Sequence, residues 1–219
     1  MKEVNKMKST TQLNAVRSAF TAVFAALICI GCVISIPVPG TVVPIAIQNL
    51  FCILAGLILG SVQGAGAVGL FLILGGIGVP VFSGARGGIA VLIGPTGGYI
   101  WGYFFGALIA GLIAGTPHIQ EKKFSLAQWI RIALASLVGF VIVYVPGIPW
   151  FMFQMSQKGN PVTFTKALSL TFIPYIPGDL LKLLISVPLA AVLRPVAARF
   201  LYPADEEEEA QLLQQIKRS

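Results

Sequence analysis

Residues 18–85 read SAFTAVFAALICIGCVISIPVPGTVVPIAIQNLFCILAGLILGSVQGAGAVGLFLILGGIGVPVFSGA, with no Asp, Glu, Lys or Arg among them. Residues 87–120 form a second uncharged stretch, and Arg86 alone divides the two. A small water-soluble domain has too little interior to hide so much continuous apolar sequence. The whole chain agrees: 56% of its 219 residues are hydrophobic, 11% are charged, and mean hydropathy is +0.87. Soluble domains carry about 25% charged residues. Lipid is the solvent that fits.

At roughly 20 residues per crossing, the apolar runs divide into six expected spans, near 15–36, 43–59, 64–74, 99–114, 127–145 and 178–201. Pro37-Val38-Pro39-Gly40 marks a rigid turn after the first. Gly- and Pro-rich sequence at 75–98 connects the third to the fourth. A connector carrying Pro146, Pro149 and Pro161 follows the fifth. The first run is too long for a signal-peptide core and is read as a retained span.

Basic residues gather at run ends, as membrane topology requires. Lys2, Lys6, Lys8, Arg17, Lys122, Lys123, Arg131, Arg194, Arg199, Lys217 and Arg218 fall on one side, and Arg86, Lys158 and Lys166 on the other. The expectation is an all-α integral membrane protein: a compact bundle of six transmembrane helices with both termini cytoplasmic. Residues 1–14 form a cytoplasmic segment, 15–201 the transmembrane domain and 202–219 an acidic, polar cytoplasmic tail. Small residues recur every four positions at Gly98, Gly102, Gly106, Ala110 and Ala114, and again at Gly56, Gly60 and Gly64. Such ladders let helices approach closely, within one chain or across a homodimer.

Several classes are excluded. The net charge of +7 is not gathered into the dense basic patch that nucleic acid needs. Gly94-Pro95-Thr96-Gly97-Gly98 lacks the lysine of a phosphate-binding loop, so the chain should not hydrolyse ATP. His118 is the only histidine and falls in a polar loop, which argues against a metal centre or a Ser-His triad. Cys29, Cys32 and Cys52 lie inside apolar runs and read as small apolar residues. No enzyme, cofactor or metal is expected.

Charges at membrane depth cost about 2.5–3.5 kcal/mol each on insertion scales and are candidates for function. Asp179 and Lys182 are three apart, hence on one helix face. Asp179 follows Pro177-Gly178, a good place for an N-cap carboxylate. From Asp179 to Arg199 is about 30 Å of helix at 1.5 Å per residue, a full hydrocarbon thickness. The pair therefore belongs at the outer edge with Arg86, and the trio carries one excess positive charge that a carboxylate-bearing solute would neutralise. The bland alternative is that the two cations snorkel to headgroups while Asp179 caps its helix. Gln48 and Asn49 could read a ligand amide or ureide, or bond across helices. Phe82, Tyr99, Trp150 and Tyr175 could anchor at the interface or pack on a flat ring.

The motifs carry a further signal. Gly78-Val79-Pro80-Val81-Phe82, Gly87-Gly88, Gly94-Pro95-Thr96-Gly97-Gly98-Tyr99 and Ile173-Pro174-Tyr175-Ile176-Pro177-Gly178-Asp179-Leu180-Leu181-Lys182 resemble the BioY family. Pro44-Ile45-Ala46-Ile47-Gln48 and Gly147-Ile148-Pro149-Trp150 are similar to family segments too. These are biotin-binding substrate (S) components of energy-coupling-factor transporters. The resemblance runs from about Ala15 to Leu201, nearly the whole chain, and departs at Ser61-Val62-Gln63, which lacks an expected basic residue.

The resemblance implies a six-helix, non-enzymatic subunit in the plasma membrane of a prokaryote that captures biotin from outside. Its partners would be a transmembrane coupling protein (T component), two cytoplasmic ATPase subunits and membrane lipid. Arg86, Asp179 and Lys182 would surround the biotin carboxylate. Gln48, Asn49, Phe82, Gly97, Gly98 and Tyr99 would complete the substrate-binding set. Ala22 and Ala26, with Ala15 and Ala19 in phase, would supply the small-residue pattern that contacts the coupling protein. Two competing expectations are an autonomous ion-coupled carrier of a small organic acid, with Asp179 titrating, and an intramembrane scaffold without a ligand.

Overall fold

Four helical runs are long and apolar enough to cross a bilayer: Thr11–Ile30, Gly97–Ala114, Leu126–Gln157 and Phe164–Leu201. They come from a computed structural model that describes residues 2–33, 35–36, 45–117 and 125–202. In chain order the helices are α1 (Lys2–Ile30), α2 (Gln48–Leu59), α3 (Ser61–Gly76), the single turn α4 (Ile89–Leu92), α5 (Gly97–Ala114), α6 (Leu126–Gln157), α7 (Phe164–Thr171) and α8 (Ile176–Leu201). A 3-10 turn, Ile173–Tyr175, joins α7 to α8. The pair β1 (Ser35–Ile36) and β2 (Ile45–Ala46) forms a two-residue antiparallel ribbon.

The first expected span is corrected at its end, because α1 stops at Ile30 and residues 35–36 pair as ribbon. The runs expected at 43–59 and 64–74 become α2 and α3, of 12 and 16 residues. At 1.5 Å per residue these are about 18 and 24 Å long. They form a helical hairpin about Gly60, whose φ of +87° suits glycine. Gly64 lies directly against the backbone of Ala55 and Gly56.

The connector expected at Pro146 and Pro149 is also corrected, since α6 runs through both prolines to Gln157. A proline inside a helix costs a backbone hydrogen bond, yet packing against α5 holds this run. Gly98 sits on Trp150 and the Pro146 carbonyl, Gly102 on Val143 and Gly106 on Gly139, leaving no room for a Cβ. Gly147 faces the Tyr99 ring in the same way. The α5 ladder is therefore buried inside one chain and is not a homodimer face. A capping box starts α6: Gln128 N–H donates to Ser125 Oγ (3.3 Å) and Ser125 N–H to Gln128 Oε1 (2.7 Å).

At the bundle end opposite the cavity described below, cations cap helix carbonyls. Arg194, 1% exposed, donates to Leu57 O (2.5 Å), Ala114 O (3.1 Å), Gly115 O (3.2 Å) and Thr116 O (3.3 Å). Arg17 Nε reaches Leu201 O (3.0 Å), Arg131 Nε reaches Ile113 O (2.6 Å), and the Tyr202 hydroxyl donates to Leu59 O (2.9 Å). Positive charge suits helix C-termini, so residues read from sequence as topology markers also close this end. The turn 37–40, the loop holding His118, Lys122 and Lys123, and the tail from 203 lie outside the described residues.

Candidate functional site

Helices α2, α5 and α8 all begin at the same end of the bundle, and a cavity of about 70 Å³ opens between their first turns. Gln48 and Asn49 come from the start of α2, Thr96, Tyr99, Ile100 and Tyr103 from the start of α5, and Asp179 and Lys182 from α8. Val143 and Tyr144 of α6, with Thr171 and Tyr175, complete the far wall. Phe82, Ser83 and Arg86 come from a tight hairpin over the mouth.

That hairpin is pinned by local chemistry. Phe82 N–H donates to Arg86 O (2.8 Å), and Arg86 N–H returns to Phe82 O (3.1 Å). The turn uses Gly84 at φ +77° and Ala85 at φ +55°; a non-glycine residue there is uncommon and carries backbone strain. Gly88 N–H ties the strand to Gly75 O on α3 (2.7 Å). Phe82 is buried edge-on against Phe71, with ring centroids 5.3 Å apart. Arg86 thus stands exposed at the rim of a rigid support, its Nε donating to Ser83 O at 3.1 Å. Among the described residues no carboxylate pairs with it.

Deeper in, polar groups converge on Asp179. Lys182 Nζ lies 3.2 Å from Oδ1, and Asn49 Nδ2 donates to the same oxygen at 3.3 Å. Tyr144 donates its hydroxyl to Oδ2 at 2.5 Å. The N-cap role expected for Asp179 is corrected: α8 begins after Tyr175, and Asp179 lies within its first turn. Lys182 is 8% exposed, so its pairing with Asp179 is what makes the buried ammonium tolerable. The pair is neutral as a unit. The excess positive charge of the cavity therefore resides on Arg86.

Two buried polar atoms in the cavity wall, Asn49 Oδ1 and Ser83 Oγ, have no hydrogen-bond partner among the described residues. Buried polar atoms are rarely left without one, and both belong to residues of the cavity lining. Gln48 behaves differently, its Nε2 donating across helices to Ile28 O (3.2 Å) and Val81 O (2.5 Å). Of the two sequence alternatives for this amide, the cross-helix bond is the one formed.

Arg86, Asp179, Lys182, Gln48, Asn49, Phe82 and Tyr99 are thus brought together around one hollow. Gly97 and Gly98 are not in its lining; Gly97 packs under the Leu92 carbonyl and Gly98 on Trp150. Trp150 donates Nε1–H to Gly94 O at 2.9 Å, outside the cavity lining. Ala22 and Ala26, with Ala15 and Ala19, are exposed along α1. Sequence reasoning missed Ser83, Tyr103, Tyr144 and Thr171. The signal for Tyr144 was there, because a hydroxyl midway along an uncharged run needs a partner.

The chain as a whole is similar to known proteins. The family model described as "BioY family" matches residues 5–199. The biotin transporter BioY of Thermotoga maritima is 37% identical over 172 residues, spanning 78% of this chain and 92% of that protein. The biotin transporter BioY of Rhodobacter capsulatus is 38% identical over 168 residues, spanning 74% and 85%. A crystal structure of the S-component for biotin from an ECF-type ABC transporter superposes with a TM-score of 0.71 at 30% identity, covering 83% of this chain and 92% of that one.

Proposed function

The chain belongs to the BioY family, and from that membership we propose that it is the biotin-binding membrane subunit of an ATP-driven energy-coupling-factor importer. Its work is capture and hand-over, not bond-making. The observation that carries the site is a cavity with two chemically distinct ends. One end is a neutral hydrogen-bonding cluster and the other is Arg86; among the described residues Asn49 Oδ1 has no donor and Arg86 no carboxylate partner.

Biotin has matching ends. Its cyclic urea offers two N–H donors and a carbonyl acceptor, its fused ring is apolar, and its tail ends in a carboxylate. Asn49 Oδ1 and the Asp179 carboxylate accept from the urea. The Lys182 ammonium, which has three donors, keeps hydrogens for the urea carbonyl. Phe82, Tyr99, Tyr103 and Tyr175 enclose the ring system, and Arg86 takes the carboxylate as a charge-assisted pair. This reading moves the carboxylate from the whole trio to Arg86 alone. The similarity to biotin transporters and to an ECF-type S-component does not favour the ion-coupled carrier.

The assembly around this subunit is read in the same way. Six crossings, counting the short α2 and α3 hairpin as two, set both termini in the cytoplasm of a prokaryote and the cavity facing outward. The exposed alanines at 15, 19, 22 and 26 form a smooth stripe for the transmembrane coupling protein, which recruits two ATPase subunits. Calorimetric titration of the purified chain with biotin is the test. Equimolar, saturable binding is expected; a flat titration, with no biotin carried through purification, sinks the assignment.

A further inference from the structure

Tyr144 stands between two hollows. On its inner side is the cavity; on its outer side a crevice of about 120 Å³ runs between α6 and α8, walled by Leu137, Val141, Phe172, Leu180 and Leu183. Leu137, Val141 and Leu180 are exposed on helices of crossing length, so the crevice opens on an apolar surface suited to lipid. Tyr144 and Asp179 line both hollows. Tyr144 and Asp179 together thus form the partition between the two hollows.

We propose that Tyr144 is a positioning residue for ligand capture, which orients the Asp179 carboxylate and walls the site off from the bilayer. The proposal rests on the biotin reading given above. Its geometry is complete: the hydroxyl holds Oδ2 while Asn49 and Lys182 hold Oδ1. The ring is fixed edge-on by Phe172 (centroids 4.8 Å, 89°) and Tyr99 (6.0 Å, 80°). Without the hydroxyl, Oδ2 faces the crevice with no donor, a costly state for a charged group beside hydrocarbon. The carboxylate then turns about its Cβ–Cγ bond towards Lys182 and Asn49, and its free lone pairs leave the direction of the ligand. The phenyl ring of a Tyr144→Phe variant keeps the wall intact, so that variant isolates the orienting role.

The full-length protein and its Tyr144→Phe, Asp179→Asn and doubly substituted forms would be titrated with biotin, and the melting temperature of each ligand-free form recorded. Tyr144→Phe should weaken biotin binding by about tenfold, within what a hydrogen bond to a charged group supplies, while the ligand-free protein melts within a few degrees of wild type. In the Asp179→Asn background the same substitution should matter less than about twofold, because the group it orients is gone. Infrared difference spectra give a readout that needs no binding: Tyr144→Phe should shift a carboxylate stretching band that Asp179→Asn removes. Equal losses in both backgrounds, an unchanged affinity, an unmoved band, or an affinity loss that only follows lost stability would overturn the proposal. Wild-type protein that binds no biotin would instead overturn the functional reading itself.

Discussion

Replacing Arg86 by Gln removes the one cavity cation without a carboxylate partner among the described residues and leaves a polar side chain at the rim. The size of the effect follows from exposure. Two unit charges 4 Å apart attract by about 1 kcal/mol in bulk water and about 4 kcal/mol at the effective dielectric of a protein surface. Exposed ion pairs measure about 0–1 kcal/mol, whereas hydrogen bonds to charged groups reach about 1.5–3 kcal/mol. Arg86 is exposed but rigidly mounted, with Nε already on Ser83 O and its terminal nitrogens available for a planar carboxylate. A loss of about 1–2 kcal/mol is expected, or roughly 5- to 30-fold in biotin affinity.

The comparison ligand is biotinamide, which keeps ring and urea but carries no charge. Calorimetric titration of wild type and Arg86→Gln with both ligands closes a cycle. Arg86→Gln should weaken biotin by that factor and leave biotinamide nearly unchanged. Wild type should show the same gap between the two ligands. Raising salt from 0.01 M to 1 M shortens the screening length from about 30 to about 3 Å, so the gap should shrink with salt in wild type only. Equal weakening of both ligands by Arg86→Gln would mean that the carboxylate sits elsewhere, with Lys182 the next place to look.

The remaining expectations concern the frame around the site. Asp179→Ala strands the buried Lys182 ammonium, and breaking a buried pair from one side costs about 3–5 kcal/mol; a large fall in melting temperature and lost biotin binding are expected together, and a lone Lys182→Met change should be milder for stability. Arg194→Met leaves the carbonyls of Leu57 and Ala114 without their donor, so the protein should melt well below wild type while surviving protein binds biotin normally at the far end; unchanged thermal stability would contradict the capping role. Gly102→Leu drives a side chain into the Val143 backbone and should prevent folding, as measured by loss of monodisperse protein in size-exclusion chromatography. Ala22→Trp with Ala26→Trp should leave biotin titrations intact and abolish co-purification with the coupling protein; full retention of the complex would move the docking stripe off α1.

How much of this was legible in the sequence depends on the range of the interaction. The apolar runs were plain because lipid imposes a composition that no local detail overrides. The Asp179–Lys182 pairing was plain because three residues on a helix bring side chains to one face. Partners separated by long stretches of chain were not: Asn49 meets Asp179 across 130 positions and Tyr144 meets it across 35. The extent of α6 was misjudged because proline propensity is a local signal, and the close fit of Gly98, Gly102 and Gly147 to their neighbours overrides it. Arg194 was seen as a charge at a helix end. That it would be among the most completely buried side chains of the fold depended on three separate helices meeting there.

Helix polarity explains why two arginines of one chain serve such different ends. Helices α2, α5 and α8 start at the cavity and finish at the opposite end, so their backbone dipoles are roughly parallel. Each helix N-terminus carries about half a positive charge and each C-terminus about half a negative one. At the C-terminal end of the bundle that negative charge falls on the carbonyls of Leu57, Ala114 and Gly115, and a buried arginine is the complement that satisfies them. At the cavity end the positive first turns of α2, α5 and α8 stand beside the last carbonyls of α1 and α3, where Gln48 donates to Ile28 O and Gly88 N–H to Gly75 O. Lys182 offsets Asp179 there, so the net side-chain charge of the lining is that of Arg86. On the biotin reading, that charge is met by the ligand carboxylate. The two arginines thus divide the work: Arg194 closes one end of the fold for good, and on the biotin reading Arg86 is kept at the other end for the ligand.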